Sequence, residues 1–467
     1  MIYQKLMGVS GASTDVYSFN LTHYTNAIAD NTGSGVFTAE YTNGFYVVHP
    51  GLYLDGTGQY GLSVAKYDSN YDLAWINFYR TSTGFAAFYD WYVKSVAVKR
   101  YYNGSSYEDD ALYILGDNQE LGGFIIRIDA DGTAGDLYSD TDVETFYDCS
   151  VGGSDTLYVI GKMSANNNVV VMGLSASDSI NVQKEITNSD AIVSACICTD
   201  SYDDADAHFA YSTTNNSFLV SMEMGVTGTV IHDETFFKSG SNFPTITDII
   251  STTDPNSFYE SRVLFAGYNQ GGSEVYLRYY GYTSASGYQS GNSVVYTGSK
   301  DVLKLAYDET NTEGYLLEGS STTGSYTVSK FDFDVTNGTA PSREFTRASA
   351  LAPSSYQKGT GNLTYLTVQS SFPSVVYGQS YFDVSYFTLL KTVTPSTGTF
   401  DSGYNDGVDD LELTISVSTP TASSLTISTS ATSLTVGSGS VTLTTDGNFF
   451  KSDISTELTE YIVPIDT

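Results

Sequence analysis

The sequence predicts an all-β fold made of a repeated four-stranded sheet, and three observations lead there. The first is composition. The chain of 467 residues carries 39 Tyr, and only 16% of it is charged. Tyr, Val, Thr and Phe suit pleated, half-buried surfaces, and charged residues usually make up about a quarter of a globular chain. Aromatics at 14% also exclude a disordered chain, which lacks groups worth burying. The second is pattern. Short apolar or alternating runs are separated by Gly, Asn, Asp and Ser turns, with no helical periodicity. The third is repetition, at spacings of roughly 45 to 60 residues, which is the length of a propeller blade. A lone four-stranded sheet exposes both faces, whereas sheets stacked in a ring bury them, so the predicted architecture is a β-propeller.

The unit is clearest from Leu112 to Tyr138. A short apolar strand ends at Gly116, and an alternating strand runs from Phe124 to Ile128. The turn Asp129-Ala130-Asp131-Gly132 leads to a last strand ending at Tyr138. Comparable units are anchored near Gly8, Gly56, Gly161, Ser212, Gly267, Gly319 and Gly378. The anchoring glycine marks a close approach of neighbouring backbones. Alternate residues such as Val64, Ile126 and Val170 are expected to pack on the adjacent blade. Upstream apolar runs, Val93 to Val98 and Ala191 to Cys198, supply inner strands. The reading is eight four-stranded blades, or seven plus an accessory hairpin.

Leu62 to Asp68 followed by Leu73-Ala74-Trp75, and Phe124 to Asp129 followed by Gly132, resemble the diverged seven-bladed-propeller-type repeats of secreted and cell-surface proteins. In that family a glycine-terminated strand precedes a strand with a Lys and an Asp, then a Gly and a Trp. The resemblance covers about the first 400 residues. It implies the fold and a surface setting, and it brings no catalytic site.

The propeller is assigned to residues 1–410 and a Ser/Thr-rich β tail to 411–467. The first unit starts at its second strand, so the alternating segment 411–417 is expected to close the ring by supplying the missing strand. SSLTISTS, TSLTVGSG and SVTLTT each alternate apolar with polar, which signals half-buried strands. Two uses of the tail stay open: strapping its own propeller, or strand addition to a neighbouring copy, which builds open filaments.

The net charge of −33, from 20 basic and 53 acidic residues, repels phosphate backbones and anionic membranes. Nucleic acid is excluded as a partner, and no apolar run is long enough for a membrane span. The opening MIYQKLMGVSG lacks the basic start and apolar run of an intact signal peptide. Sequons at Asn20, Asn103, Asn215, Asn337 and Asn362 point to an extracellular or cell-surface glycoprotein. Cys149, Cys196 and Cys198 either form one disulfide and leave an odd thiol, or are three buried small side chains.

No catalytic residue is assigned. The seven arginines, at positions 80, 100, 127, 262, 278, 343 and 347, do not recur at one place in the unit. His23, His49, His208 and His232 are scattered and read as structural. The turn Asp129 to Gly132 and the acidic runs holding Asp109, Asp110, Asp203, Asp204 and Asp206 are calcium candidates, against the simpler reading as turns and solvated loops. Tyr101-Tyr102, Tyr279-Tyr280 and Phe88 to Tyr92 are candidate stacking surfaces for sugar or protein. The expected function is a non-enzymatic structural or adhesive module that self-associates through its tail. A monomeric lectin-like or protein-binding propeller is the alternative, and a propeller hydrolase or lyase stands third.

Overall fold

The computed structural model describes residues 16–23, 37–54, 59–68, 73–81, 92–203, 206–224, 229–237, 244–254, 259–269, 274–289, 292–297, 302–308, 313–320, 325–332, 342–349, 366–369, 374–381, 384–390, 398–405, 410–415, 429–431, 434–446, 449–453 and 458–464. These residues form seven antiparallel sheets of four or five strands and one two-stranded hairpin. We number the sheets I to VII. The inner strands of sheets I to VII are Phe37–Tyr41, Tyr92–Tyr102, Val143–Gly152, Ile192–Thr199, Pro244–Thr253, Val302–Asp308 and Leu366–Gln369. Each touches the next in that order, and Leu366–Gln369 touches Phe37–Tyr41, so the ring closes. The fold is a β-propeller.

Closure differs from expectation. The N-terminal strand Val16–His23 pairs with Val384–Leu390 and completes sheet VII from outside. The first and last repeat units thus share one sheet, which gives seven sheets and a hairpin among the described residues, the second of the two readings. The described part of segment 411–417 is paired elsewhere: Asp410–Ile415 pairs with Gly398–Asn405 in the hairpin, and 416–417 lie outside the described residues. A strand that ends in an unpaired edge takes the nearest edge of matching register, and a neighbour in sequence closes the shorter loop.

Alternation explains the continuous apolar runs. In Val169–Leu174, Val170 and Met172 pack towards sheet II, while Val169 and Val171 pack towards sheet IV. In Tyr107–Asn118, Leu112 and Ile114 face sheet I, and Tyr113 and Leu115 face sheet III. Each strand is buried on both faces, and each such Val, Leu or Ile contributes about 1.5–3 kcal/mol. Val64 and Ile126 meet between sheets I and II, as the repeat predicts. At Gly116 a Cβ would lie 1.9 Å from the Tyr92 carbonyl oxygen of the paired inner strand, so no larger residue fits. Ser212 takes that place in sheet IV; it receives the Ile246 amide at 2.8 Å and shares a hydrogen bond with Ser217.

The tail runs around the rim of its own ring. Thr429–Ala431, Val436–Ser438, Thr444–Asp446, Phe449–Asp453 and Leu458–Pro464 add fifth strands to sheets IV, III, II, I and VII in turn. Its apolar residues enter the grooves between sheets. Leu434 and Val436 pack between III and IV, Val441 and Leu443 between II and III, and Phe449 between I and II. Phe449 stacks on Tyr79 with ring centroids 5.7 Å apart. The last belt strand pairs with Val16–His23, so that closing strand is held on both edges.

Candidate functional site

The inner strands bend at β-bulges, and after one bulge in each of four of them stands a polar side chain aimed at the next sheet. These are Ser95, Asp148, Ser194 and Asp248 in sheets II to V. A bulge re-aims a side chain out of the pleat. Here it points the group at the next inner strand. Ser95 donates to Asp148 at 2.7 Å, and the other Asp148 oxygen receives the Ile197 amide at 3.0 Å. Ser194 donates to the Ile246 carbonyl, and Asp248 receives the Leu305 amide at 2.6 Å. Polar groups thus stitch sheets II to VI around the axis.

Between these stitches lies a cavity of about 150 Å³ lined by Asp148, Ser150, Cys149, Cys198, Asp248 and Lys304. Lys304 stands 3.7 Å from Asp248. Burial pushes the Asp248 carboxyl up to about 6 even though Lys304 opposes that rise. Burial, opposed by the carboxylates of Asp248 and Asp148, sets Lys304, whose ammonium form is favoured on balance. All three cysteines are free and buried, which overturns the disulfide reading and leaves that of three small core side chains. Burial, followed by nearby carboxylates, holds each thiol well above the ordinary range, which disfavours the thiolate.

A second set of groups fastens neighbouring sheets near their outer strands. The turn Asp129 to Gly132, a calcium candidate, is gripped by sheet I. Lys66 and Trp75 both donate to the Ala130 carbonyl, at 2.9 and 3.2 Å, and Tyr79 donates to Gly132 at 2.7 Å. The Lys and Trp of the repeat motif are therefore a latch for the next sheet's turn. Asp129 pairs with Arg127 at 3.1 Å, and Asp131 caps its own turn by receiving the Thr133 amide at 2.7 Å. That amide holds the Asp131 carboxyl below its usual range.

The turn of sheet III is held by sheet II in a related way, with Lys99 and Tyr102 on the inner strand and Arg127 in the place of Lys66. Lys99 donates to the Ser175 carbonyl at 3.0 Å, and the Tyr102 amide to Ala176 at 2.9 Å. Asp178, held at a φ of 60°, takes four donors: Lys99 at 2.9 Å, Tyr113 at 2.8 Å, Arg127 at 2.8 Å and Tyr138 at 3.1 Å. Asp178 and Lys99 are fully buried. Arg127 also lies 3.6 Å from the Tyr101 ring centroid. A carboxylate with every oxygen committed to fixed donors has no capacity left for substrate.

A further buried ionisable cluster is built on Asp200. One oxygen meets His208 Nε2 at 2.6 Å and the Ser261 hydroxyl at 2.6 Å, and the other receives the Tyr202 and Asp203 amides. Burial raises this carboxyl, but the hydrogen bonds from His208 and Ser261 outweigh it and leave it below the usual range. His, Asp and Ser are the parts of a hydrolase triad in the wrong order. In a triad the imidazole stands between the serine and the carboxylate. Here Asp200 stands between them, so Ser261 has no base. Tyr288 occupies the other His208 nitrogen at 3.0 Å.

The other predicted positions spread widely. Asp110 receives the Thr42 amide and hydroxyl at 3.3 and 2.9 Å and ties sheet II to sheet I. Asp109 lies in Tyr107–Asn118, Asp203 is exposed, and Asp204 is outside the described residues. Asp206 is buried, and burial together with Asp203 and Asp200 pushes it up to about 7. Among the described residues no three such ligands converge on a metal position. Tyr279 and Tyr280 are buried, so they offer no stacking surface, and Phe88 to Trp91 lie outside the described residues. Asn103 and Asn215 are exposed in turns, Asn20 is central in Val16–His23, and Asn337 and Asn362 lie outside the described residues. His208 is structural, as expected of it; His49 and His232 are in strands whose side chains are not described. Sequence reasoning missed the latches and the Asp200 cluster, although Lys66 and Arg127 occupy the same place in their strands and hinted at a shared partner.

No protein-family model matches the chain, and no curated protein matches it. Solved propellers do. The WD40 domain of Toxoplasma gondii coronin superposes with a TM-score of 0.47 and 10% identity, over 82% of this chain and 88% of that one. The Neurospora crassa Pan2 WD40 domain gives 0.45 and 8%, over 82% and 98%. The Dos1 propeller gives 0.41 and 13%, over 79% and 96%. At such identities the likeness concerns the fold alone. No helix among the described residues is long and apolar enough to cross a membrane.

Proposed function

We propose that the protein is a non-enzymatic structural and interaction propeller, extracellular or displayed on a surface, that associates with further copies of itself. One observation carries this reading: the buried chemistry is spent on fastening. Asp148 and Asp248, Asp178 with Lys99 and Arg127, and Asp200 with His208 and Ser261 each join parts of the ring. An active site keeps a reactive group unpaired and reachable, and none of these groups is both. The rim belt adds a second fastening, as a module under load requires. The exposed sequons Asn103 and Asn215 support the extracellular setting. Electron microscopy of native material tests the reading, with fibres or regular assemblies expected and isolated particles alone contradicting it. Intact mass tests the setting, with sugar mass above the bare polypeptide expected.

A further inference from the structure

The described belt strands between 429 and 464 lie on the outside of the ring. Among the described residues the rungs on sheets IV, III and II are three residue pairs each, against five on sheet I and seven on sheet VII. Until it docks, the outer strands Leu73–Thr81, Ala134–Asp140, Ile180–Ile186 and Thr229–Phe237 present open edges, which accept any strand of matching pattern. A second copy of this chain carries such a strand by construction. Thirteen residues separate Ile415 from Thr429. Extended, they reach about 45 Å.

We propose that the belt is exchanged between copies, so that residues 429–464 of one chain seal the rim of another. This rests on the self-association reading above and names the partner surface. Every hydrogen bond and groove contact of the closed form recurs in the exchanged form, so the two differ only in the path of the connector. Exchange from chain to chain in one direction is a heterologous contact and propagates. Closed rings dominate where the tethered belt outcompetes its neighbours, and exchange gains with protein concentration.

Lys184 faces Ser438 across the rung on sheet III, and neither side chain is part of the latches or stitches. Chains carrying K184C alone and chains carrying S438C alone are co-produced and oxidised, then run on a non-reducing gel. The native thiols are buried and stay silent. A reducible dimer containing one of each chain is expected, its yield rising at least severalfold over a tenfold increase in concentration. The double variant K184C/S438C is the control, because its internal crosslink shows that the positions meet. A crosslinked control without any mixed dimer overturns the exchange. Assemblies seen by microscopy in that case keep the self-association reading and reject only the belt as its means.

Discussion

Replacing Asp178 by Asn tests the latch idea with a number. The side chain keeps its shape but loses the charge that two cations face, Lys99 at 2.9 Å and Arg127 at 2.8 Å. Lys99 is fully buried and has Asp178 as its carboxylate partner, and burial already lowers its proton affinity. Removing one member of a buried pair costs about 3–5 kcal/mol, because the remaining charge stays buried. Arg127 keeps Asp129 at 3.1 Å and Asp136 at 2.9 Å, which places the expected loss at the lower end, about 3 kcal/mol. The assay is urea unfolding at pH 7 followed by tyrosine fluorescence, compared at constant m. Arg100 and Asp155 form the internal control, since the Arg100 side chain is 58% exposed and R100A is expected to cost under about 1 kcal/mol. The triple change D178L/K99M/R127M should recover at least half of the D178N loss, as apolar replacement of buried ions often does. A D178N loss below about 1 kcal/mol, or one no larger than that of R100A, refutes the reasoning.

Other predictions concern the ring and its titration. Gly116→Ala drives a methyl into the Tyr92 carbonyl, so a lower Tm by several degrees or failure to fold is expected by differential scanning fluorimetry. Phe449→Ala removes the peg between sheets I and II and should cost about 3 kcal/mol in urea, with faster amide exchange in Leu73–Thr81. Asp206 and Asp248 are raised to about 7 and about 6 against an unfolded value of 3.8. A raised acid binds more protons folded than unfolded, so stability falls as pH climbs from about 4 to 7 for Asp206 and from about 4 to 6 for Asp248, by at most about 1.4 kcal/mol per unit for each group. Asp206→Asn should flatten this slope in melting curves, and an unchanged slope rejects the assignment. The three thiols should react with a maleimide only in denaturant, by intact mass; labelling of the native protein contradicts their burial. EDTA should leave Tm unchanged, because Asp131 caps its own turn and Asp129 pairs with Arg127.

The strands were legible because their burial is regular. A run such as Val169 to Leu174 can sit only between two sheets, and Gly116 marks a close approach that any larger residue would obstruct. The count of sheets was less legible. A repeat scan sees the units near Gly8 and Gly378 separately, whereas strand pairing joins Val16–His23 to Val384–Leu390. Nothing local in 411–415 distinguishes a closing strand from the hairpin strand that Asp410–Ile415 forms, since alternation states that an edge is needed and not which edge. The alternating tail runs predict half-buried strands, and in the runs from 434 to 445 Leu434, Val436, Val441 and Leu443 fill grooves between sheets. The acidic turns misled because Asp is equally at home as a metal ligand, a turn cap and an ion-pair partner. Asp131 caps and Asp129 pairs, and only spatial neighbours reveal that.

The most direct test of the account is a cryo-electron microscopy map of the native protein at a resolution that separates strands. It should show seven sheets around an axis, Val16–His23 completing the seventh from outside, and a fifth strand from residues 429–464 on sheets IV, III, II, I and VII. A bare rim, with the tail projecting as a separate domain, would contradict the account.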